Sequence, residues 1–372
     1  MTIIIFILII SVLVLIHELG HFIAARKSGI VVEEFGIGYP PMAIKLFTWK
    51  GTAFTLNWIP FGGFVRMAGE EGPIEGSSKA TTGQFYKAKT WQKMLVVLAG
   101  PGVNFFFGVI IFAAVFTKLG IPTEISDARV AAVAPDSPAQ KAGITTDTSI
   151  KKLLLADGTV IDTPTSQVVI DTVTKNQGQT IQVVTSGPCS GLICQDAEST
   201  FLLYLRKGEE IPEGQGSMGV AFTSVVYTFY PWWEMPFRSV VFGFQQAFML
   251  STQIVSALGG MASDLVTKRL VPDTVAGPVG IVHQAQSSGL FSEGWLTIFS
   301  FAGMLSVNLA VMNVLPIPPL DGGRAVLLIA EKIAGRKKTE KVEYYLNNVG
   351  YFLLLGLIIV ITVRDVSRIF FG

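Results

Sequence analysis

Ile16-His17-Glu18-Leu19-Gly20-His21 closes an apolar run, Ile3 to Ile16, that carries no charge. His17 and His21 are four residues apart, so on a helix they stand one above the other on one face. That spacing lets two imidazoles grip one zinc ion. A glutamate beside the first histidine can then hold and deprotonate an attacking water. The chain has three histidines, and two of them are here. An H-E-x-x-H string also arises by chance. In a helix that otherwise reads as membrane-buried, however, ionisable groups are costly and normally face an interior site with a partner. The metal reading is therefore preferred, and a third ligand must come from elsewhere.

Composition sets the class. Of 372 residues, 50% are hydrophobic and only 15% charged, with 26 phenylalanines. That is the composition of a membrane protein. A net charge of +1 offers no basis for a nucleic-acid partner. Two cysteines, Cys189 and Cys194, are too few and too close for a disulfide-built fold. The N-terminus lacks the basic region and the small-x-small cleavage site of a secretory leader. It reads as a retained first span, about residues 3–25.

Residues 28–92 are rich in Gly, Pro and aromatics, as in Glu33-Glu34-Phe35-Gly36-Ile37-Gly38-Tyr39-Pro40-Pro41 and Pro60-Phe61-Gly62-Gly63-Phe64. The breakers argue against helix, and the short apolar pieces between them suggest strands and hairpins. Such strands can enter a bilayer only if protein shields their backbone. The alternative is an ordinary interfacial loop. A second span is expected over 93–117. It contains Ala99-Gly100-Pro101-Gly102-Val103-Asn104, a small-residue patch that permits close helix approach. Asn104 needs a hydrogen-bond partner there.

Polar residues return over 124–222, with strand-like runs at 128–134, 181–185 and 200–205. Residues 232–268 mix apolar residues with Gln245, Gln246, Ser251, Thr252 and Gln253, which suits an interfacial helix. His283 has no acidic or cysteine neighbour at ligand spacing, so a structural or solvent role is expected. A third span, 295–315, runs into Asn313-Val314-Leu315-Pro316-Ile317-Pro318-Pro319-Leu320-Asp321-Gly322-Gly323-Arg324. The prolines break the helix and bring Asp321 to bear from an irregular turn. Taken alone, Asp321 could equally cap a following helix. Taken with H-E-x-x-H, it reads as the third ligand. A basic loop, 332–341, and a fourth span, 345–363, complete the chain.

Together these motifs resemble the site-2 protease family of intramembrane zinc metalloproteases, especially its bacterial regulator-of-sigma-E branch. Ala134-Pro135-Asp136-Ser137-Pro138-Ala139 through Ala142-Gly143-Ile144 resembles the signature of a PDZ domain. The implied fold is an α-helical polytopic membrane protein with about four transmembrane helices, a membrane-associated β-hairpin region and one inserted PDZ-like domain. The corresponding divisions are 1–123, 124–222, 223–294 and 295–372. The resemblance implies that His17, His21 and Asp321 hold Zn2+, that Glu18 is the base and that Asn313 engages substrate. It implies a β-element that clamps substrate as an added strand. The expected substrates are single-span membrane proteins, such as anti-sigma factors or remnant signal peptides, within the inner (cytoplasmic) membrane. The basic residues Arg26, Lys27, Lys45, Lys50, Arg66, Lys87, Lys89 and Lys93 follow the first span; Lys332, Arg336, Lys337, Lys338 and Lys341 follow the third. The positive-inside rule puts both segments in the cytoplasm and the PDZ-like domain outside. Oxidation persists there, so Cys189 and Cys194 are expected to bond, against the alternative of two free thiols. An inactive membrane-anchored scaffold would have no use for Glu18, and a transporter would more often carry an internal repeat.

Overall fold

A chain in hydrocarbon must satisfy its backbone groups internally, so long apolar runs become helices. In the structure, a computed structural model describing residues 2–70, 83–268, 277–292 and 294–371, five helices are long and apolar enough to cross a bilayer. They are α1 (Thr2–Lys27), α2 (Thr90–Leu119), most of α5 (Met235–Lys268), α7 (Trp295–Val314) and most of α9 (Arg336–Phe371). The chain is a multi-pass membrane protein. Two shorter helices, α6 (Pro278–Ser287) and α8 (Asp321–Ala334), lie among them, leaving α3 and α4 for the other unit. The chain divides into one compact unit made of Met1–Val115 with Arg238–Gly372 and another made of Phe116–Phe237.

Within the first unit, α2 runs antiparallel to both α1 and α7. Gly20 of α1 meets Ala99 and Gly100 of α2, whereas the earlier His17 reaches the later Asn104. Gly108 of α2 meets Gly303 and Val307 of α7, and Asn104 meets Ser306. Hence α1 and α7 run parallel, and their C-terminal ends lie on one side.

The segment after α1 is β-structure, as its breakers and short apolar pieces indicated. Strands β1 (Val32–Trp49) and β2 (Thr52–Met67) join through Lys50 and Gly51, both with positive φ. Both strands bend back on themselves, so residues 35–37 are paired on two sides. On one side Phe35, Gly36 and Ile37 oppose Val65, Phe64 and Gly63; on the other they oppose Phe54, Thr55 and Leu56. The piece 63–67 is therefore at the margin of this small sheet. Residues 71–82 of the stretch 28–92 lie outside the described residues, as do 269–276 and 293.

The second unit carries a six-stranded sheet in the order β10-β3-β4-β6-β9, with β5 on β4. The strands are β3 (Ile121–Val133), β4 (Ser149–Leu154), β5 (Val160–Asp162), β6 (Thr180–Thr185), β9 (Ser199–Tyr204) and β10 (Val220–Thr228). Its core includes Val130, Leu153, Val169, Ile181, Val183 and Leu203, all 0–1% exposed. Val169 comes from α4 (Ser166–Lys175). The short helix α3 (Pro138–Ala142) follows the rules for helix ends. Ser137 accepts from the Gln140 N–H, Pro138 opens the first turn, and Gly143 closes it at φ 92°.

One expectation changes. The basic loop 332–341 is helical on both sides of Gly335, because its Lys, Glu and Ala residues are good helix formers. Residues 235–268 form one continuous helix, the least apolar of the five candidates.

Cys189 and Cys194 are bonded across the hairpin of β7 (Cys189–Ser190) and β8 (Ile193–Cys194). Unreduced, denatured protein should therefore take up no iodoacetamide, and reduction should expose two sites by mass spectrometry. Two alkylated cysteines before reduction would contradict the bond.

Candidate metal centre

Helix α1 supplies His17 and His21, both buried, from successive turns of one face. Asp321 arrives from the far end of the chain. Pro316, Pro318 and Pro319 cannot continue α7, so the chain breaks there and restarts as α8. Asp321 is the first residue of α8, where the helix dipole favours a carboxylate. The N-cap position is Leu320, which makes no side-chain cap. The Asp321 carboxylate turns instead to the histidines. Its Oδ2 lies 3.0 Å from His17 Nε2 and 3.5 Å from His21 Nε2, and the two Nε2 atoms are 3.1 Å apart.

These groups could hold a metal ion. Ligand bonds of about 2.0–2.1 Å in a tetrahedron place ligand atoms about 3.3 Å apart. The observed triangle has edges of that size. Two nitrogens and a carboxylate oxygen suit zinc, and three protein ligands leave a fourth position open, the arrangement of catalytic sites. The Nδ1 atoms point away. His21 Nδ1 is 2.8 Å from the Val96 carbonyl, and His17 Nδ1 is 3.3 Å from the Asn104 amide.

Small residues make the site possible. A Cβ on Gly100 would come within 2.6 Å of His21 Cε1 and 2.8 Å of His17 Cε1, and one on Gly20 within 2.9 Å of the Ala99 carbonyl carbon. Gly322 packs its α-carbon directly on the Val314 and Leu315 carbonyls, and Gly323 packs on Ile317 and Pro318. The ends of α7 and α8 can thus fold tightly against each other.

Glu18 is beside the triangle and not part of it. Its Cγ lies 3.6 Å from the place of a Cβ on Gly63, and its carboxylate faces the Val65 N–H. The outer edge of the 63–67 piece is thus turned toward this group. Asn313 lies half-buried in the last turn of α7. His283 is exposed on α6, apart from the triangle.

Residues 5–357 match the sequence profile of peptidase family M50. The chain belongs to peptidase family M50, the site-2 protease family. A relative in Clostridium perfringens, provisionally named a zinc metalloprotease, is 32% identical over 370 residues, covering 96% of both chains. One in Rhizobium meliloti with the same kind of name is 30% identical over 380 residues, covering 98% of this chain and 96% of its own. One in Staphylococcus aureus is 27% identical over 450 residues, covering 99% of both.

Two ion pairs brace the α8 of this M50 chain, and the sequence reading did not find them. Lys93 Nζ is 3.2 Å from Glu331, and Arg324 Nη1 is 2.7 Å from Glu70. Lys93 and Arg324 also lie 5.9 and 5.8 Å from the Phe85 ring centre. Lys93 was a legible signal, since a cation near an apolar run implies a partner.

Gly100→Ala should push the histidines apart and weaken zinc binding by about tenfold or more. Gly102→Ala, which meets open space, should not. Zinc content of the purified variants reads the difference; equal content in both would show that the α1–α2 contact relaxes.

Proposed function

We propose that this chain is an intramembrane zinc metalloprotease that cleaves the transmembrane segments of single-span membrane proteins. The observation that carries the reading is the His17, His21 and Asp321 triangle, set among apolar helices with Glu18 beside it. His17, His21 and Asp321 hold the ion, and Glu18 is the general base. Bound zinc supplies Lewis-acid polarisation of the scissile carbonyl. Glu18 takes a proton from the attacking water and passes it to the leaving amine.

A substrate helix has its peptide groups hydrogen-bonded internally, so it must unwind before cleavage. The outer edge of the 63–67 piece offers a place for the extended segment as an added strand. Asn313, near the end of α7, is assigned to substrate binding by the family resemblance alone.

Four helices cross the bilayer in this reading. With α1 and α7 parallel and α2 opposed to them, α7 starts on the side where α2 ends. An even number of crossings must then separate them, so α5 does not cross alone. The basic segments put the zinc end of the bundle toward the cytoplasm of an inner membrane. The sheet unit is a single PDZ-like domain on the outer side. It admits substrates already trimmed outside, such as anti-sigma factors or remnant signal peptides, and resembles the regulator-of-sigma-E branch in this respect.

Glu18→Gln should keep zinc and substrate binding yet lose about 10²–10⁴-fold in cleavage rate of a model single-span substrate. His17→Ala, His21→Ala and Asp321→Ala should lose zinc first and activity with it. Phenanthroline should stop the wild-type reaction and added zinc restore it. Near wild-type cleavage by Glu18→Gln would remove Glu18 from the chemistry.

A further inference from the structure

Asn104 is fully buried in α2, and its role lies outside the three ligands and the base. Its side-chain nitrogen is 3.3 Å from His17 Nδ1, and its side-chain oxygen is buried with no partner. Its backbone carbonyl accepts from Ser306 Oγ of α7 at 2.7 Å. One residue thus joins the first ligand-bearing helix to the helix that leads to the third ligand.

The two ring nitrogens of His17 have different tasks. Nε2 faces Asp321 Oδ2 and His21 Nε2, so its lone pair must be free for the ion. A neutral imidazole then carries its proton on Nδ1. An amide nitrogen opposite that proton sets donor against donor. Turning the amide by 180° exchanges two ends of nearly equal shape and places the oxygen opposite the N–H. Either orientation leaves one amide atom unpartnered. Only the turned one leaves His17 Nε2 free to bind metal.

We propose that Asn104 is the positioning residue of His17: its amide oxygen accepts a hydrogen bond from the Nδ1–H, which holds the Nδ1-protonated tautomer and the ring plane and leaves Nε2 free for the ion. His21 uses the same device with a backbone acceptor, the Val96 carbonyl. The two ligands of α1 are therefore both held by α2. Partners of this kind raise ligand basicity and restrict ring rotation, and their loss lowers metal affinity by about 10–100-fold. The inference rests on the zinc reading above.

The test uses the full-length chain in detergent, with zinc affinity measured by competition against a chromophoric chelator. Asn104→Asp keeps an acceptor of the same shape, whereas Asn104→Leu keeps the approximate volume and removes it. The Ser306 bond reaches the backbone and survives in both. Asn104→Asp should bind zinc within about threefold of wild type, and Asn104→Leu should bind about 10–100-fold more weakly. The melting temperatures of the zinc-free proteins should not follow that order. Wild-type affinity in Asn104→Leu, or equal losses in both variants, would overturn the proposal. His17→Ala in the same assay separates this from failure of the zinc site, since it should lose zinc whatever Asn104 does. Should Asn104→Leu not fold, the wild-type protein decides the matter by nitrogen NMR with labelled histidine. Three histidines give few signals. Two slowly exchanging Nδ1 protons, from His17 and His21, are expected; a fast-exchanging His17 Nδ1 proton would refute the bond.

Discussion

The structure depends on how closely α1 and α2 approach. At Gly20 and Gly100 the two helices meet backbone to backbone, with no side chain between them. A single methyl group at position 100 would occupy space that the imidazoles need. Small residues at helix contacts are common in bilayers, where dispersion and polar contacts take the place of hydrophobic association. Here the contact has a second effect. It places α2 where the Val96 carbonyl and the Asn104 amide can hold the outer nitrogens of both histidines. The restart of the chain at Gly322 and Gly323 does for Asp321 what the glycine contact does for the histidines.

Much of this was legible in residues. The four-residue spacing of His17 and His21 requires only helical geometry. The prolines from 316 to 319 announce a break, and Asp321 follows it directly. The strands at 128–134, 181–185 and 200–205 lie within a few residues of β3, β6 and β9, because alternation and turn residues are local signals. Pairings are not local. Phe35, Gly36 and Ile37 are paired on two sides by two parts of one bent strand, and no periodicity in either stretch encodes that. Asn104 visibly needed a partner, yet nothing near it in sequence names His17. Residues 332–334 and 336–341 are helical despite their many charges, because Lys and Glu form helix well and Glu331 finds Lys93.

The polar frame around α8 is small and specific. Lys93 is 5% exposed, so its charge is held away from water. Such a pair contributes little net stability after desolvation, yet an unpaired partner would be costly. Together with Arg324 and Glu70 it leaves α8 few arrangements that satisfy every charge. In apolar surroundings that discriminate weakly among packings, such pairs favour the arrangement in which both charges are met.

These ion pairs also order events in time. Glu331 lies 238 residues after Lys93, and Arg324 lies 254 after Glu70. During synthesis, α1 and α2 emerge and can associate long before α8 exists. The nascent chain then carries two histidines and a glutamate, without the carboxylate that completes the triangle. A partly made or truncated chain therefore cannot bring the three groups together, and the triangle forms only as translation nears its end.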